Sequence, residues 1–67
     1  MKRDQAIQIH AKALAAVESL ISILEVMKDT VAPEEFEKLK KGVGLSIGAI
    51  EMHINAPLHQ QFPDLES

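Results

Sequence analysis

Between Asp4 and Val31 the chain holds no glycine and no proline, and its apolar residues recur at alternating steps of four and three. Ala13, Val17, Leu20, Leu24, Met27 and Val31 form this seam. The spacing is that of a helix packed along its length against another helix. Two stripes flank it: Ile7, Leu14 and Ile21 on one side, Ile9, Ala16 and Ile23 on the other. On a helical wheel the apolar arc covers roughly 200°. One antiparallel partner covers much less, so this helix is expected to touch at least two others. Gln8, Lys12, Glu18, Ser19, Ser22, Glu25 and Asp29 make a narrow polar strip. The first helix is expected over about 4–29, with Asp4 as N-cap or first-turn acid. Such a rod is about 40 Å long.

The link Thr30-Val31-Ala32-Pro33 is short. Proline suits the first position of a second helix, where its missing N–H costs nothing. Glu34, Glu35 and Glu37 favour the positive end of that helix, whereas Ala32 is a poor cap. Helix 2 is expected over about 33–55. Phe36, Leu39, Val43, Ile47, Ile50 and Ile54 lie on one face, and Leu45, Ala49, Met52 and Ala56 nearly opposite in the later half. Gly44 and Gly48 stand four apart on one face, and each mid-helix glycine costs about 1 kcal/mol relative to alanine. The pattern reads as a groove where another backbone approaches closely; a kinked glycine segment is the alternative. Pro57 is expected to end the helix. The tail, 56–67, offers Leu58, Phe62 and Leu65 to an open bundle end, and its last residues are expected to fray.

A short link makes the helices antiparallel neighbours. The expected fold is all-α: a single helical-hairpin domain, 1–67, dimerising into a four-helix bundle. A chain of 67 residues buries only about 60% of the surface its unfolded form exposes, so it needs a staple. There are no cysteines, which removes disulfides and Cys-based metal sites. Two helices have no interior of their own, and a homodimer is the simplest closed solution. The surface this leaves for an interface comprises Ile7, Ile9, Leu14, Ile21 and Ile23 on helix 1, and Gly44, Leu45, Gly48, Ala49 and Met52 on helix 2.

The net charge of −3 weighs against a nucleic-acid partner, which selects a basic patch. No membrane partner is expected either. Polar residues interrupt any N-terminal leader, and the longest uncharged apolar stretch, Gly42 to Ile50, falls far short of the roughly 20 residues that span a bilayer. Cytoplasmic location is the expectation.

In an antiparallel hairpin His10 comes level with His53, with Glu51 within a turn. The residue types suit a metal site or a proton switch. Neither His-x-x-x-His nor Glu-x-x-His occurs, so partly buried histidines near a bundle end are the favoured reading, with no cofactor. His59 is expected in solvent. The serines lack a neighbouring base and acid, and the glycines follow no strand and precede no Lys-Ser/Thr pair. An enzyme is not expected.

Ile47-Gly-Ala-Ile through Pro57-Leu and on to Phe62-Pro-Asp-Leu65 resembles the ending of small bacterial helical proteins, some of them similar to immunity proteins that neutralise a toxin from the same locus. The likeness covers the last third of the chain, rests on common residue types and carries over no active-site residue. It implies an acidic, compact inhibitor of another protein. Three functions follow as expectations: a homo-oligomeric bundle acting through protein–protein interaction, an immunity-like inhibitor, and a small-ligand or metal-binding bundle using His10 and His53.

Overall fold

The computed structural model describes residues 1–65 of the chain. Helix α1 runs Arg3–Met27, α2 Pro33–Ile50 and α3 Ala56–Gln61. A single π turn, Glu51–Asn55, joins α2 to α3, and a 3₁₀ turn, Pro63–Leu65, follows. Among the described residues there is no strand. The two rods lie side by side and antiparallel in a body of 45 × 16 × 16 Å.

Local chemistry sets the ends of the helices. At the start of α1 the Lys2 amide donates to Gln5 Oε1 at 2.9 Å, while Asp4 sits in the first turn. The helix stops at Met27, two residues before the expected end. The run breaks at Lys28, whose ψ of 126° leaves the helical region, and Asp29 follows in the left-handed region, φ 68°. The Thr30 amide donates to the Met27 carbonyl at 3.0 Å. The Thr30 hydroxyl reaches the carbonyls of Val26 and Met27, so the freed end of α1 is closed by its own turn. Pro33 opens α2 as expected, and Ala32 supplies no side-chain cap.

Proline 57 does not end the second rod. Ala56 is right-handed helical, φ −61°, ψ −46°, and its amide donates to the carbonyl of Glu51, five residues back. In a regular helix the proline ring collides with the carbonyl four residues earlier. A π turn carries one more residue per turn and gives that ring room, and helices use such bulges at irregular points. The expected tail is therefore helical from Ala56 to Gln61. Glu66 and Ser67, where fraying was expected, lie outside the described residues.

The extra residue also resets the inner face. Val43 is buried and Ile47 and Ile50 half-buried, but the next turn brings in Asn55 and Leu58 rather than Ile54. Leu39 and Ile54, expected in the main face of helix 2, are exposed. On α1 the heptad seam holds throughout: Ala13 and Met27 are buried, and Val17, Leu20 and Leu24 half-buried. Val31 in the link is half-buried as well.

The apolar core is thin. It consists of Ala6, Ala13, Met27, Val43 and Leu58, and among the described residues no large side chain is fully enclosed. Phe62 and Leu65 are half-buried at the open end, where Arg3 pairs with Asp64. Both partners of that pair are more than half exposed, so it contributes little.

The expectation that no segment could span a bilayer needs correcting. Helix α1 is long and apolar enough to do so by length and composition, and only 6% of its 18-residue apolar window is buried. Counting uncharged residues missed this, because Lys12, Glu18 and Glu25 interrupt a sequence that is otherwise strongly apolar.

Candidate functional site

Two features stand out: the apolar surface left uncovered, and a polar cluster at the open end of the hairpin. All ten residues expected at an interface, from Ile7 to Met52, are exposed in the hairpin. Leu45 and Met52 are each 68% exposed on the back of the second rod.

The glycines behave differently from the close-approach reading. A Cβ added at Gly42, Gly44 or Gly48 meets nothing within 4 Å. Among the described residues nothing lies against that face of the glycines, and none of them has a positive φ. The segment is a plain helix with an open, side-chain-free strip.

Between the rods, on one side, lies a groove of ≈ 250 Å³. Ile9, Lys12, Ala13 and Ala16 of α1 line it, with Ile50 of α2 and Ile54 of the π turn. Its floor includes alanine, and its α1 wall belongs to the Ile9–Ala16–Ile23 stripe. The π turn places Ile54 here, since it turns Ile54 off the inner face.

The histidines pair differently from expectation. His10 lies beside His59, not His53; the ring centroids are 5.9 Å apart and the planes tilted by 48°. His53 is exposed. Glu51 accepts a hydrogen bond from Asn55 Nδ2 at 2.9 Å, so it is engaged within its own turn. His10 Nδ1, His59 Nε2 and Asn55 Oδ1 are buried without a hydrogen-bond partner. Asn55 itself is only 5% exposed. Asn55 and His59 stand four apart on one face, which gave a sequence signal for this cluster. The expected stop at Pro57 hid it. Among the described residues no group of three or more His, Cys, Asp or Glu side chains converges to hold a metal ion. Two imidazoles and an amide can donate and accept hydrogen bonds there.

No protein-family model matches the chain, and no curated protein or solved structure is significantly similar to it.

Proposed function

We propose that this chain works by protein–protein association, as a helical hairpin that completes its core only against another helical surface, first of all a second copy of itself. One observation carries the reading. Eleven large apolar residues are exposed, while no large side chain among the described residues is fully enclosed. Burying apolar surface gains about 25 cal/mol per Å², and exposed apolar patches of this extent mark association sites. Light scattering on a size-exclusion column, across a wide concentration range, tests it. A dimer or larger assembly is expected. A folded monomer at every concentration overturns self-association and directs attention to a different protein, as an inhibitor of the immunity type would require.

The composition of α1 favours a second reading, in which a lipid bilayer covers the apolar arc. Its three interior charges, Lys12, Glu18 and Glu25, oppose full insertion. Flotation with phosphatidylglycerol–phosphatidylcholine vesicles separates the two. Protein that stays with the vesicles after a high-salt wash supports the bilayer, and protein left in solution refutes it.

A further inference from the structure

We infer that the open end of the hairpin binds a divalent metal ion of the zinc type, held by His10 Nδ1, His59 Nε2 and Asn55 Oδ1. The inference is independent of the self-association proposed above, because all three donors belong to one chain.

Among the described residues, the buried side-chain nitrogen and oxygen atoms without a hydrogen-bond partner are these three. Such orphans call for a partner, since most buried polar side-chain atoms have one. Each of the three can offer a lone pair: the two ring nitrogens when the imidazoles are neutral, and the amide oxygen always. Imidazole nitrogen selects zinc, copper or nickel over magnesium and calcium, which take all-oxygen sets. The cluster holds two residues of the usual ligand types rather than three. Its third donor is an amide oxygen, and water completes a tetrahedron in an open zinc site.

The span of the histidine pair fits one ion. Two imidazoles that share an ion through Zn–N bonds of about 2.0–2.1 Å hold their ring centroids roughly 5–6.5 Å apart, for angles at the metal from tetrahedral to linear. The centroids of His10 and His59 are 5.9 Å apart. Asn55 lies four residues before His59, on the same helical face, and is itself only 5% exposed. Its Nδ2 donates to Glu51 Oε1 at 2.9 Å. That bond fixes the amide and leaves Oδ1 as its free end. The carboxylate also polarises the amide and makes Oδ1 a better donor, as partners behind a metal ligand do. On α1, His10 stands between Ala6 and Ala13 on the buried face, so no bulky side chain of that face crowds the imidazole.

An ion here ties α1 to α3 across the hairpin. The chain has a thin core and no cysteine, and a bound metal is one of the staples that small folds use in place of disulfides.

The test titrates wild-type protein, first stripped with a chelator, with zinc chloride. One ion per chain is expected, with the imidazole nitrogen resonances of His10 Nδ1 and His59 Nε2 shifting and those of His53 unmoved. This readout needs no variant, so it stands even where a substitution unfolds the chain. Thermal melting is the second measurement. Zinc at a hundred times its Kd is expected to raise the melting temperature by roughly 10 °C. His10→Ala and His59→Ala are expected to abolish that rise and His53→Ala to keep it, with circular dichroism confirming helicity. Asn55→Leu is expected to weaken zinc binding by at least about ten-fold. A buried water also satisfies orphans of this kind. Ring nitrogens of His10 and His59 that do not respond to zinc overturn the metal site in favour of water, and shifts confined to His53 overturn it in favour of adventitious surface binding.

Discussion

Asp29 carries the one positive φ of a non-glycine residue among the described positions, 68°. An L-residue there costs roughly 1–2 kcal/mol, less for aspartate, whose short polar side chain tolerates the region. Asp29→Gly is expected to hold or raise the denaturation midpoint, and Asp29→Val to lower stability by about 1–2 kcal/mol. Urea titration followed by circular dichroism reads both. Asn55 is a different kind of residue: its Nδ2 is bonded to Glu51, but its Oδ1 is buried without a partner. Such an orphan costs about 1–3 kcal/mol. Asn55→Leu is therefore expected to raise the urea midpoint, and a lower midpoint would show that Oδ1 has a partner in solution.

At the scale of the element, Pro57 and the π turn form a coupled pair. Deleting the exposed Met52 removes the extra residue yet keeps Asn55 and Leu58 on the inner face. It also returns Pro57 to regular helix, where the ring and missing N–H cost about 3 kcal/mol. The deletion alone is expected to be strongly destabilising, and the deletion with Pro57→Ala to recover most of the loss. Additive effects in this double-mutant cycle would show that the turn exists for another reason. The glycines of α2 give a second test. With open space beside them, Gly44→Ala and Gly48→Ala each are expected to add up to about 1 kcal/mol to stability. A loss, measured by thermal melting, would mean that a partner chain packs on that strip.

For the whole molecule, the thin core means that the association proposed above would make folding and assembly one problem. A chain whose apolar faces are covered only in the assembly gains stability by mass action, so its melting temperature rises with protein concentration. Differential scanning calorimetry over two decades of concentration is expected to show that rise. A melting temperature independent of concentration would place all the stability inside the single hairpin.

The sequence determined the helical character of both rods, the short link with Pro33 at the head of α2, and the α1 seam from Ala13 to Val31. These follow from periodicity and local backbone chemistry, which neighbouring residues settle among themselves. It also determined that the seam alone could not cover the Ile7 and Ile9 stripes, because arc width is a property of one helix. The tertiary structure decided what happens beyond Ile50. Whether a proline stops a helix or is absorbed by a wider turn depends on what the following residues gain by continuing. Here Leu58 is buried and His59 comes to lie against His10. That one extra residue moved Ile54 out of the core and into the groove, brought Asn55 inside, and exchanged His53 for His59. A register shift of this kind leaves composition and spacing untouched, and only packing across the hairpin chooses it.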